Sequence, residues 1–168
     1  PNLATLVSHI LFSMPNLKRL RLSSLDVAEI DKNLMDLIKY EKRILPYRPL
    51  ALQAGDNMMW RRLKRGHLRD DAISISEEAR SVVAEVVFGA DIIAGFPTEN
   101  DEMFQNTVDL IEDCNITFLH IFPFSPREGT PAARMPQVDR YIIKKRAKIL
   151  REIGKKKLLE YYDELKNK

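Results

Sequence analysis

Four stretches of this chain set groups capable of chemistry beside short apolar runs. Ser23, Ser24 and Asp26 follow the first, Gln53 and Asp56 the second; Asp91 lies inside the third; Ser125, Arg127, Glu128 and Thr130 follow the fourth. Hydroxyls, an amide, carboxylates and a guanidinium gathered at one edge suit a polyhydroxylated or anionic ligand. Each alone serves a turn equally well, since Ser, Gln and Asp are common turn formers. Their recurrence at all four positions is what points to a site. Asp91 carries the most information, because a carboxylate inside an apolar strand needs either ligand hydroxyls or a basic partner within the chain. Gly89 and Gly95 flank it and leave room for a close approach by something flat.

Other constellations are missing. Neither a G-x-G-x-x-G loop nor a Walker motif occurs. His9, His67 and His120 show no metal-ligand spacing, and no Ser–His–Asp ordering is convincing. His120, inside an apolar run, reads as a packed core histidine. Cys114 is the single cysteine and falls on an apolar helix face, so it reads as packing. One thiol can neither close an internal disulfide nor supply a four-thiolate cluster, and a reducing compartment, the cytoplasm, is the natural setting.

The elements that must position these groups follow from hydrophobic periodicity. The spacing predicts helices over 3–12, 30–38, 56–64, 69–82 and 98–114, and a long last helix striped by Ile143, Ala147, Leu150, Leu158, Tyr161 and Leu165. Thr98 with Asp101 resembles a capping box. Strands are expected at 18–23, 50–53, 86–94 and 116–122, the last two as runs covered on both faces. Residues 123–136, with four prolines and a glycine, form a long loop. Four strand–helix units mean a parallel sheet, either half of an eightfold barrel or a small open sheet. In both, ligands sit at the C-terminal ends of the strands.

At 168 residues the chain suits one domain, and 45% hydrophobic with 30% charged residues is ordinary globular composition. No apolar run is long enough to span a membrane. The net charge of +3 is too small by itself to argue for nucleic acid, DNA included, but it is unevenly spread. Residues 138–168 hold 11 basic and 5 acidic groups, net +6, leaving −3 on residues 1–137. That basic helix is either a solvated surface or an RNA-phosphate contact. The first residue is Pro1 and the last helix runs out in lysines, so both ends read as cuts in a longer chain.

Four ordered motifs carry a resemblance. They are Leu52-Gln53-Ala54-Gly55-Asp56, then Leu63-Lys64-Arg65-Gly66-His67, then Phe88 through Glu99 around Asp91, then Phe122-Pro123-Phe124-Ser125-Pro126-Arg127-Glu128-Gly129-Thr130. Together they resemble the radical-SAM methylthiotransferases, best the tRNA-modifying branch, over nearly the whole chain. The resemblance implies a partial (β/α) barrel, with the four strands standing as strands three to six. It implies residues 1–137 as the C-terminal part of that barrel, and 138–168 as a basic helix leading towards an RNA-binding β-barrel. S-adenosylmethionine is the implied cofactor. The [4Fe-4S] clusters of the family take cysteines that this chain does not contain. By resemblance, Gln53 and Asp91 bind the ribose hydroxyls, Arg65 the methionyl carboxylate, and Ser23 or Ser24 the methionyl end. Ile93, Phe122 and Ser125 surround the adenine, while Arg127 and Thr130 face the substrate, a modified adenosine in tRNA. Pro49 and Ala51 depart from the expected strand pattern before Gln53, and a proline there loses a ladder bond.

Two other readings use the same residues. One is a non-redox βα-barrel enzyme acting on a small anionic substrate through Asp91 and Arg127. The other is a non-catalytic RNA-binding module resting on the basic helix.

Overall fold

A computed structural model describes residues 2–83 and 85–167. Helices α1 (Leu3–Ser13) and α2 (Lys32–Tyr40) come first. Then follow β1 (Tyr47–Gln53), α3 (Asn57–Arg62), α4 (Arg69–Val82), β2 (Val87–Ala94), α5 (Asp101–Asp113), β3 (Ile116–Pro123) and α6 (Arg140–Lys166). The three strands form one parallel sheet in the order β1-β2-β3.

The sequence led us to expect a fourth strand at 18–23. Here that segment makes only two isolated parallel bridges, Leu20 to Ile44 and Leu25 to Leu50. The offset between partners changes by one residue from the first bridge to the second, so a continuous ladder cannot form. The bonds that remain are Leu20 N–H to the Arg43 carbonyl, Leu45 N–H to the Leu20 carbonyl, and a pair linking Leu25 with Pro49 and Ala51. Pro49 is tolerated because its carbonyl, and hence its missing donor, lies on the side facing this loosely bridged segment.

One face of the sheet is sealed. Leu50, Leu52, Phe88, Ala90, Ile92 and Ala94 pack with Met59 and Trp60 of α3, Ala72 and Ala79 of α4, Leu110 and Ile111 of α5, and Ala147 and Leu150 of α6. Leu119 of β3 joins them, and Gly154 lets α6 lie close upon it. A second cluster holds α1 and α2 against Leu22, Leu25 and Ile44. The opposite face of β2 and β3 is not sealed among the described residues. Asp91 and Ile93 are half-buried, while His120 and Phe122 are exposed. The expectation of strands covered on both faces therefore fails here. An all-parallel sheet with one open face is what the inner wall of an unclosed barrel would look like.

Local signals explain the helix boundaries. Asn2, Asp31, Asp56, Asn100 and Asp139 each accept a backbone N–H at the start of a helix. The cap of α5 is Asn100, not Thr98, which adopts φ +67° in the preceding turn. The apolar stripe of α6 is buried only at Ile143, Ala147 and Leu150, whereas Leu165 is exposed.

Candidate functional site

The loops at the C-terminal ends of the strands are pinned from behind. Gly55 approaches α5 so closely that a Cβ would strike the Thr107 backbone, and its N–H donates to Thr107 Oγ1 at 3.0 Å. At Gly95, φ is +75° and the space a side chain would need is taken by Ile143 of α6. The room that the sequence left for a flat group at Gly95 is thus partly filled by the protein itself. Glu99 Oε1 accepts the Gly95 N–H at 3.1 Å and Arg146 Nη1 at 2.7 Å, so the loop after β2 is tied to α6. Burial pushes the Glu99 carboxyl up, against the pull of the Arg146 guanidinium. The loop after β3 is tied in turn to that after β2. Phe124 N–H donates to the Ala94 carbonyl, Phe96 and Phe124 meet edge to face at 5.4 Å, and Thr98 N–H reaches the Pro136 carbonyl.

Asp91 stands on the open face. Ser24 Oγ donates to its Oδ2 at 2.9 Å, and His120 Nδ1 lies 3.2 Å from Oδ1. The Asp91 side chain is 24% exposed and that of His120 63%. His120 is therefore not a packed core histidine: strand alternation turns it outward, opposite Asp91 in register. The sequence could have given the alternation but not the register. Ile93 pairs with Phe122 on the same open face, forming an apolar patch beside the carboxylate. Gln53 ends β1 with φ +65°, a left-handed conformation that non-glycine residues adopt at a cost.

Arg65 lies in the loop between α3 and α4, with Nη1 on Asp26 Oδ2 at 2.5 Å. Burial pushes the Asp26 carboxyl up, but the Ala28 amide, the Arg65 guanidinium and His67 outweigh it and hold the group below the usual range. Ser23, Ser125 and Arg127 are exposed. The Thr130 hydroxyl donates to the Arg127 carbonyl at 2.7 Å and is engaged in its own turn. Ser24, Asp91, Ile93 and Phe122 thus come together on one face, Arg65 joins Asp26 from a neighbouring loop, and Ser125, Arg127 and Thr130 lie in the loop after β3. Sequence reasoning missed Arg146, although its place between Ile143 and Ala147 on the buried stripe was a usable signal.

A cavity of about 800 Å³ opens at the other end of the strands, lined by Pro46, Glu85, Asn115, Lys157 and Tyr161. Of the open-face residues it reaches Phe118 and His120 but not Asp91. Parallel sheets bind their ligands at the C-terminal ends of their strands, the end opposite this cavity. Cys114 is fully buried, and burial pushes its thiol up. Among the described residues no group of three His, Cys, Asp or Glu could hold a metal ion. No described helix is long and apolar enough to cross a membrane.

The fold resembles that of two solved proteins. It matches coproporphyrinogen III oxidase from Escherichia coli, described as a radical SAM enzyme, with TM-score 0.74 at 14% identity over 92% of this chain and 37% of that one. Streptococcus suis SuiB, solved with S-adenosylmethionine, matches with TM-score 0.56 at 14% identity over 89% of this chain and 33% of that one. The sequence places the chain further. It is 51% identical over 162 residues to threonylcarbamoyladenosine tRNA methylthiotransferase MtaB of Rickettsia prowazekii, covering 96% of this chain and 38% of that protein. It is 36% identical to the Aquifex aeolicus protein of the same name, over 99% of this chain and 41% of that one. It is 33% identical to the tRNA-2-methylthio-N(6)-dimethylallyladenosine synthase of Neorickettsia sennetsu, over 95% of this chain and 34% of that one. No family model matches. Over nearly its whole length the chain is similar to a segment of these tRNA methylthiotransferases, and it spans about two-fifths of the length of the two MtaB relatives. Neither the small-anion enzyme nor the non-catalytic RNA module is favoured by these relatives.

Proposed function

We propose that this chain is the S-adenosylmethionine-binding part of an enzyme that methylthiolates a modified adenosine in tRNA. The observation that carries the reading is Asp91. It is a carboxylate on the open face of a parallel sheet, with an apolar patch beside it and a hydroxyl and an imidazole as its partners. The donor set fits the cofactor. Asp91 and Gln53 accept from the ribose hydroxyls, and Ile93, Phe122 and Ser125 form a slot for adenine. The N–H groups of Arg65 not given to Asp26 reach the methionyl carboxylate, and Ser23 or Ser24 steadies the methionyl end. Bound here and given one electron by a cluster held elsewhere in the enzyme, the cofactor would release methionine and supply a 5′-deoxyadenosyl radical that abstracts hydrogen. This chain's part is to fix the ribose and adenine and to keep water from the slot.

The [4Fe-4S] centres of such enzymes do not fit the residues here, because the one cysteine is buried in the core. In this reading the visible strands are part of strands three to six of the partial barrel. Residues 1–137 are barrel, and 138–168 are the helix leading towards an RNA-binding domain. Arg127 and Thr130 lie on the substrate rim. Arg140, Lys144, Lys148, Arg151 and Lys155, exposed at helical spacing along α6, suit the phosphates of tRNA in the cytoplasm.

The test is Asp91→Asn in the full-length enzyme. An amide offers one acceptor oxygen where the carboxylate offers two, so S-adenosylmethionine affinity should fall about ten- to a hundredfold with folding unchanged. Unchanged affinity by equilibrium dialysis would leave Asp91 a purely structural partner of Ser24 and His120.

A further inference from the structure

Arg65 does not stand alone. Its partner Asp26 uses both oxygens: Oδ2 takes Arg65 Nη1 at 2.5 Å, while Oδ1 lies 2.9 Å from His67 Nδ1 and accepts the Ala28 N–H at 3.1 Å. His67 is 3% exposed, and its ring meets Trp60 edge to face at 4.6 Å. Trp60 Nε1 in turn donates to the Leu52 carbonyl at 2.5 Å, one residue before Gln53. A rigid line therefore runs from the end of β1 through two buried rings to the carboxylate that holds Arg65.

His67 Nε2 is the one buried side-chain nitrogen or oxygen among the described residues with no hydrogen-bond partner. Because Asp26 as a carboxylate only accepts, the geometry fits the tautomer with hydrogen on Nδ1, which leaves Nε2 a buried acceptor without a partner. A buried orphan acceptor costs stability, and a phenylalanine would fill the same space without that cost. What the imidazole does that a phenyl ring cannot do is donate to Asp26. With Oδ1 fixed, the carboxylate cannot rotate, and Oδ2 holds Nη1 in one place. Arg65 has five N–H donors, so those not given to Asp26 remain for a second carboxylate.

We propose that Asp26 and His67 are positioning residues, which aim the Arg65 guanidinium at the carboxylate of the bound ligand. The inference rests on the cofactor reading above, in which that ligand is S-adenosylmethionine. Preorganisation of this kind raises affinity by removing the ordering cost from the binding step.

The experiment compares two ligands on the full-length enzyme without reductant: S-adenosylmethionine and its decarboxylated analogue, which lacks only the carboxylate. Asp26→Asn and His67→Phe should each weaken S-adenosylmethionine about tenfold, the scale of one misaligned charge-assisted bond, and leave the analogue within about twofold. Arg65→Met should remove the preference for the carboxylate, and adding Asp26→Asn to it should cost nothing further for either ligand. Equal losses for the two ligands would make Asp26 and His67 merely structural and overturn the inference alone. Additive losses in the double variant would overturn it as well. Wild-type enzyme that binds neither ligand overturns the cofactor reading, and the inference with it.

Discussion

Replacing Glu99 by alanine removes one half of a buried ion pair. The Arg146 side chain is 6% exposed and that of Glu99 2%, and they meet at 2.7 Å. Truncation leaves the guanidinium with the Glu99 backbone carbonyl at 3.0 Å and with Asp101, whose side chain is fully exposed at 100% and therefore water-screened. It also strips the Gly95 N–H of its acceptor. Breaking a buried pair by removing one partner costs about 3–5 kcal/mol, and the contacts that survive put this case near 3 kcal/mol. For a chain of this size that is a fall in Tm of about 6–12 °C. Replacing both members, as Glu99→Leu with Arg146→Met, leaves no uncompensated charge. It should cost only about 1–2 kcal/mol, mostly for the orphaned Gly95 N–H. Urea denaturation of the chain, of Glu99→Leu, of Arg146→Met and of the double variant, read as a double-mutant cycle with Glu99→Ala measured beside them, makes the comparison. If Glu99→Ala falls within about 1 kcal/mol of wild type, or the double variant is as unstable as the single, the pair does not hold the β2 loop and the reasoning is wrong.

Gly95→Ala should destabilise the chain, since both φ +75° and Ile143 oppose a Cβ; a wild-type melting curve would contradict this. In acid two carboxyls act in the same direction. Asp26 is held below its usual range and Glu41 is lowered to about 2, chiefly by the Arg43 hydrogen bond. A lowered carboxyl contributes stability above its unfolded value that is lost as pH falls through the folded one. Stability should therefore decline from about pH 4.5 towards pH 2, and Asp26→Asn should flatten part of that decline in a pH series of urea midpoints. The outer edge of β3 carries no neighbouring strand among the described residues, so the chain should self-associate; a concentration-independent monomer in light scattering would count against this. With one buried cysteine, the chain should remain colourless after anaerobic treatment with iron and sulfide, and stoichiometric iron in the product would show ligands from elsewhere.

Much of the architecture was written in local pattern. The apolar runs around 50–53, 86–94 and 116–122 became the three strands, and helix α4 fell on the residues that periodicity named. The short motifs around Gln53, Arg65 and Asp91 could carry a resemblance because a short motif keeps residue types and spacing together in the chain. Register is different, since it depends on which residues face each other across strands. It turned His120 out beside Asp91 and let Leu20 and Leu25 bridge without forming a strand. Distant pairing is different for the same reason. Glu99 with Arg146, and Asp26 with Arg65 and His67, join residues about 40 or more positions apart, and no local signal says which charge will find which. Local propensity and periodicity determine elements because they act within one turn or one pleat. The partners of a buried charge are decided only when packing excludes water and leaves each charge to whichever group the fold has brought within reach.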